Sequence, residues 1–167
     1  MNKILIVEDD EDKLATLIKF INVEFPTFSV DTARSFISGL RLIADTSKCY
    51  SGILLDMTMP NYDPSITDPG GGKPEKFAGE DLLAQMKLRK IEIPTIIVTM
   101  FDKHGDEPNR LTLEQLSERL TEKFSPTFRG LTYYSLSESG WRNSFSPAAD
   151  RVRAPRCRRC ADRPYRR

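Results

Sequence analysis

The residues of this chain best placed to do chemistry are acids that follow short apolar runs. Ile4-Leu-Ile-Val7 leads straight into Glu8, Asp9, Asp10, Glu11 and Asp12, and a second run, Gly52-Ile-Leu-Leu55, ends in Asp56. Runs this short, rich in Ile, Leu and Val and separated by helix-patterned segments, read as parallel strands covered on both faces. Open α/β sheets bind ligands at the carboxyl ends of such strands, so Glu8, Asp9 and Asp56 are expected to converge there. Hard carboxylates brought together attract Mg2+. A carboxylate that attacks a phosphoryl group needs the charge on both partners offset, which Mg2+ held by Asp9 and Asp56 would do. Thr99, closing another apolar run from Thr95, could then hydrogen-bond a phosphoryl oxygen.

The elements that must carry these residues alternate. A strand over 3–7 precedes a helix from about Asp12 to Glu24, with Leu14, Leu17, Ile18 and Ile21 on one face and Asp10 as N-cap. A strand near Ser29–Thr32 is followed by a helix from Phe36 to about Ala44, capped by Ser35. The third strand is Gly52–Leu55. Residues 59–77 are too rich in Pro and Gly for helix or strand and form a long loop beside the carboxylates, where a lid or docking surface is expected. A helix over Gly79–Lys90 leads to a fourth strand, Thr95–Thr99. A polar loop, 102–110, precedes a helix at Thr112, where Thr112 and Gln115 have capping-box spacing. The fifth strand is expected over Leu131–Ser135. A last helix, capped by Ser137 or Ser139 and carrying Trp141 and Phe145, stops at Pro147.

Composition sets the bounds. The chain has 167 residues, 39% hydrophobic and 29% charged, with a net charge of +1. No apolar run is long enough to span a bilayer, and the N-terminal stretch lacks the pattern of a secretory signal, so a cytoplasmic location is expected. Cys49, Cys157 and Cys160 make no disulfide framework. Residues 146–167 hold eight Arg and only two acids, Asp150 and Asp162, so the basic tail offsets an acidic body. Its Pro and Arg text has no apolar period and is not expected to pack. The abrupt change in composition resembles out-of-frame translation; a functional alternative is an arm for nucleic acid or an acidic partner. Cys157-Arg-Arg-Cys160 lacks the further ligands that a zinc site needs.

Residues 1–145 resemble a response-regulator receiver domain, the phosphoacceptor module of two-component signalling. The matching motifs are Ile4-Leu-Ile-Val-Glu-Asp-Asp10, Leu54-Leu-Asp-Met-Thr-Met-Pro60 and Pro94-Thr-Ile-Ile-Val-Thr99, in that order and spacing. The resemblance implies a flavodoxin-like (CheY-like) fold: a doubly wound five-stranded parallel sheet of order 2-1-3-4-5 in three α/β/α layers. It makes Glu8 and Asp9 the acid pair, Asp56 the phosphoacceptor and Thr99 the switch hydroxyl, with the Thr58 carbonyl completing the Mg2+ site. It also implies a sensor histidine kinase or phosphotransfer protein as donor and a downstream protein as the reader. Without a recognisable output domain, a stand-alone receiver is expected, with no membrane partner and nucleic acid reached only through the tail. Such a module is a signalling phosphoacceptor rather than an enzyme, beyond self-phosphorylation and autodephosphorylation.

One departure stands out. Receivers normally end the fifth strand with a Lys whose ammonium pairs with the phosphoryl group, and here that stretch is Thr132-Tyr-Tyr-Ser-Leu-Ser137. Lys103, after the fourth strand, is a candidate replacement. Two other classes stay open: a pseudo-receiver that binds partners without being phosphorylated, and a phosphohydrolase of the haloacid-dehalogenase type. The second wants Asp-x-Asp, whereas Asp56-Met-Thr58 lacks the second carboxylate.

Overall fold

In the computed structural model, residues 2–69, 71–101, 103–104 and 110–135 are described. The expected basic tail and the helix expected after Ser135 lie outside these residues. The elements are β1 (Asn2–Val7), α1 (Glu11–Glu24), β2 (Phe28–Ala33), α2 (Phe36–Ala44), β3 (Gly52–Leu55), α3 (Ala78–Leu88), β4 (Thr95–Thr99), β5 (Lys103–His104), β6 (Leu111–Thr112), α4 (Leu113–Phe124) and β7 (Phe128–Tyr133).

Five strands pair in parallel in the order β2-β1-β3-β4-β7. This is the expected 2-1-3-4-5 sheet of the flavodoxin-like fold, with β7 as its fifth strand. Strand alternation divides the core between the two faces. Leu5, Val7, Ile53, Leu55 and Ile97 pack with Ile43 of α2, Leu82 and Met86 of α3, and Leu116 and Leu120 of α4. Ile4, Ile6, Leu54, Ile96 and Val98 point the other way, onto Leu17, Phe20 and Ile21 of α1. Every residue of β3 and β4 is buried, which is why these runs are continuous rather than alternating in sequence. Each fully buried aliphatic side chain contributes roughly 1.5–3 kcal/mol relative to exposure. The site is thus mounted on strands that are buried throughout.

The helix starts follow their caps. The Asp10 side chain accepts from Lys13 N at 2.7 Å, and Ser35 with Ser38, and Thr112 with Gln115, form reciprocal capping boxes. Burial of Gly39 against β1 is equally sequence-driven: a Cβ there would lie 2.9 Å from Val7 Cγ1.

Two expectations change. The fifth strand starts three residues earlier than expected, at Phe128. Gly130, at φ 150°, sits where the register jumps from Thr95↔Phe128 to Ile96↔Gly130, and a glycine in that setting reads as a turn in sequence. The loop after β4 contains a short antiparallel hairpin, β5 with β6.

The long 59–77 loop is tied to the body at several points. A bridge between Met59 and Glu75 closes the loop on itself, and the first amides of α2 are satisfied by loop carbonyls, Phe36 N donating to Pro60 O at 3.0 Å and Ile37 N to Asn61 O at 3.1 Å. Ser38 Oγ donates to Asp63 Oδ1 at 2.8 Å. Ile66 is fully exposed at 102%.

Candidate functional site

The β1 and β3 registers, Val7↔Leu55, place the residues that follow each strand side by side. Beyond them the chain turns, and Asp56 N donates back to Val7 O at 2.9 Å while Glu8 N donates to Ala33 O at 2.9 Å. The strand-end acids are therefore fixed by backbone bonds before any ligand arrives. Carboxylate oxygens of Glu8, Asp9 and Asp56 lie within 4.8 Å of one another, the first and last buried and Asp9 half-buried. The sequence expectation that these three converge holds.

Each acid has a distinct setting. Glu8 Oε1 accepts from Asp10 N at 3.2 Å. Arg34 Nη2 donates to the Asp9 carbonyl at 3.1 Å, which ties the acidic turn to the start of α2. Thr58 N donates to Asp56 Oδ2 at 3.3 Å, so the residue expected to lend its carbonyl to the metal touches Asp56 through its amide. Gly79, in the first turn of α3, donates from its amide to Met57 O at 3.0 Å and locks that turn against the helix. Thr99, fully buried at 0%, ends the neighbouring strand; its hydroxyl accepts from Phe101 N at 3.2 Å.

A cation that the sequence reading did not place in the site occupies its centre. Lys13 Nζ donates to Asp56 Oδ1 at 2.7 Å and pairs with Glu8 Oε2 at 2.6 Å, its side chain 1% exposed. The Glu8 contact is close but out of line for a hydrogen bond, so Glu8 Oε2 remains a buried oxygen without one. The Lys13 ammonium also lies 6.0 Å from the centre of the Tyr134 ring, just past the end of β7. Lys103, the replacement suggested by sequence, belongs to the β5 strand. A lysine at the third position of a helix reads as solvated surface, which is why pattern alone missed Lys13.

The electrostatics follow from burial. Desolvation, reinforced by the Asp56 charge, pushes Glu8 up to about 8, against the opposing effect of Lys13. Asp9 is raised for the same two reasons. For Lys13, burial lowers the pKa, but the Asp56 and Glu8 charges, with the hydrogen bond to Asp56, outweigh it and hold the ammonium above its ordinary value. Three clustered carboxylates with one ammonium still leave excess negative charge, and Glu8 Oε2 lacks a hydrogen bond. All the donors are hard oxygens, so the set fits a divalent cation such as Mg2+.

No family model matches the chain. The chain is 33% identical to the uncharacterized protein y4jR of Sinorhizobium fredii, over 87% of this chain and 95% of that protein. It is 31% identical to the Detocs response regulatory protein DtcB of Enterobacter cloacae, over 84% of this chain and 93% of that one. Among solved structures, a CheY-like response regulator receiver domain protein from Methanospirillum hungatei superimposes with a TM-score of 0.60 at 18% identity, covering 92% of this chain and 94% of that chain. The response regulator TrrA of Thermotoga maritima, solved in complex with Mg2+ and BeF, superimposes with a TM-score of 0.51 at 18% identity, over 89% and 99% of the two chains. Among the described residues, no helix is long and apolar enough to cross a membrane.

Proposed function

Starting from a chain that belongs to the response-regulator receiver family, we propose that residues 1–145 form a working phosphoacceptor, with Asp56 the acceptor. The observation that carries this reading is the convergence of Glu8, Asp9 and Asp56 within 4.8 Å at the carboxyl edge of the sheet. In the proposed reaction an Asp56 oxygen attacks phosphorus, the bond from phosphorus to the donor's leaving atom breaks, and the leaving group departs with that electron pair. The product is an acyl phosphate on Asp56. With acetyl phosphate the leaving group is acetate; a phosphohistidine of a sensor kinase or phosphotransfer protein is the natural counterpart.

Glu8, Asp9, Asp56 and the Thr58 carbonyl would hold Mg2+. Bound there, it would offset the charge of the carboxylates and of the incoming phosphoryl oxygens. The chain's own contribution is positioning. The amide of Thr58 orients the Asp56 carboxylate, and the backbone bonds at Glu8 and Asp56 fix the acids before the donor arrives. Thr99 is the proposed switch. Its hydroxyl, now an acceptor for Phe101 N, can turn to donate to a phosphoryl oxygen, which frees the 99–101 turn.

That movement has a route to the surface. Thr99 pairs with Tyr133 on β7, and Tyr133 lines a groove of about 400 Å³ together with Leu113, Ser117 and Leu131. A downstream protein reading this face would sense a local event at Asp56 as a shift between two arrangements. The fold and the absence of a carboxylate at Thr58 favour this reading over a phosphohydrolase. A cytoplasmic location accords with a histidine-kinase donor, and residues 146–167 are read as an appendage outside the receiver.

Calorimetric titration with Mg2+, followed by beryllofluoride, tests the proposal. Wild type is expected to bind Mg2+ and then the phosphoryl analogue. Asp56→Asn is expected to lose the second event. Analogue binding that survives Asp56→Asn would move the acceptor elsewhere, and a wild type that binds neither would favour a pseudo-receiver.

A further inference from the structure

Lys13 is an unusual residue for its place. It lies in the first turn of α1, where the helix dipole disfavours a cation, and its side chain is 1% exposed. A solvated lysine would stay outside; here the chain desolvates an ammonium and delivers it to the carboxylate proposed to be phosphorylated. Two features hold it there. The Asp10 cap accepts from the backbone amide of Lys13 at 2.7 Å, which fixes where its side chain leaves the helix. Its Nζ lies 6.0 Å from the centre of the Tyr134 ring and donates to Asp56 Oδ1 at 2.7 Å.

A counter-ion for a buried acid cluster would satisfy the same charges by pairing with Glu8 or Asp9 alone. Lys13 pairs with Glu8 Oε2 at 2.6 Å as well, but it donates its hydrogen bond to Asp56 Oδ1, the proposed acceptor, at 2.7 Å. A phosphoryl group added to Asp56 brings its oxygens within reach of a donor already bonded to that carboxylate. An ammonium has three donors, so it can exchange the carboxylate for phosphoryl oxygens without leaving its place.

From this geometry we infer that Lys13, reaching in from α1, is the cation that stabilises the transferring phosphoryl group on Asp56, in place of a lysine at the end of the last strand. The inference rests on Asp56 being the acceptor. It assigns to the first helix a role in the reaction.

The test compares wild type, Lys13→Met and Asp56→Asn for the rate of acyl-phosphate formation from acetyl phosphate, read by intact mass, with Mg2+ affinity measured calorimetrically on each. Methionine keeps the stem's volume and removes the charge. Loss of one preorganised charge partner is expected to slow labelling on the order of a hundredfold. Mg2+ affinity is expected to be unchanged or tighter in Lys13→Met, because a competing cation has gone. Labelling of Lys13→Met at the wild-type rate would overturn the inference alone. Slow labelling together with weakened Mg2+ binding would also overturn it, showing that Lys13 serves the packing of the site. A wild type that takes no label would remove the acceptor reading and this inference with it.

Discussion

Replacing Gly79 by alanine should damage the site through its backbone. Gly79 lies in the first turn of α3, where alanine is ordinarily preferred over glycine by roughly 1 kcal/mol. Here a Cβ would stand 2.5 Å from the Asp56 carbonyl oxygen and 3.0 Å from Met57 Cα. Ordinary heavy-atom contact is about 3.5 Å, so the helix and the turn must separate by roughly 1 Å, and neither obstacle is a side chain that can rotate away. Overpacking of this kind costs roughly 1–3 kcal/mol. Set against the helix preference of roughly 1 kcal/mol, the middle of that range leaves a net loss of about 1 kcal/mol for Gly79→Ala. The atom that must yield belongs to Asp56, so Mg2+ affinity should fall as well, on the order of tenfold for a displaced ligand. Urea unfolding gives the first quantity and calorimetry the second. Ile43→Val, at the far end of α2 and 2% exposed, is the control: it should cost about 1 kcal/mol and leave Mg2+ binding alone. A Gly79→Ala protein as stable as wild type would refute the packing argument. One that is destabilised yet binds Mg2+ normally would refute the link from α3 to Asp56.

Two pH dependences follow from the charges. In EDTA, the folded state holds a proton on Glu8 up to about 8, whereas the unfolded chain releases it near the ordinary carboxyl value of 4.5. Stability should therefore fall as pH rises between those limits, with Asp9 adding in the same direction; Glu8→Gln should flatten a thermal-melt series over this range, and an unchanged slope would speak against a protonated Glu8. Asp31 behaves oppositely. Its carboxylate is opposed by burial but accepts from Lys48, Lys3 and Tyr50, which bring it down to about 2. It should stabilise the fold above its ordinary value of 3.8 and lose that contribution as pH falls towards about 2, so the stability gap to Asp31→Asn should narrow over that interval, and a gap independent of pH would exclude the ion pairs as its source.

What the sequence made legible was whatever local pattern determines. Continuous apolar runs marked β1, β3 and β4, and the acids following them marked the site, because parallel strands bury both faces and open their carboxyl ends to ligands. The caps at Asp10, Ser35 and Thr112 were likewise local. The start of β7 was hidden by Gly130, whose role depends on a register shift against β4. Lys13 was hidden for a deeper reason: its burial is decided by Glu8, by Asp56, 43 residues away in sequence, and by Tyr134, none of which a helix pattern registers. The β5–β6 hairpin contains too few residues to show a period of two.

The central claim is that Asp56 accepts a phosphoryl group. Intact mass spectrometry after incubation with acetyl phosphate and Mg2+, on wild type and Asp56→Asn, tests it most directly. The account predicts a gain of one phosphoryl group in wild type that is absent without Mg2+ and absent in the mutant. An adduct that persists in Asp56→Asn, or a wild type that gains none, would contradict it.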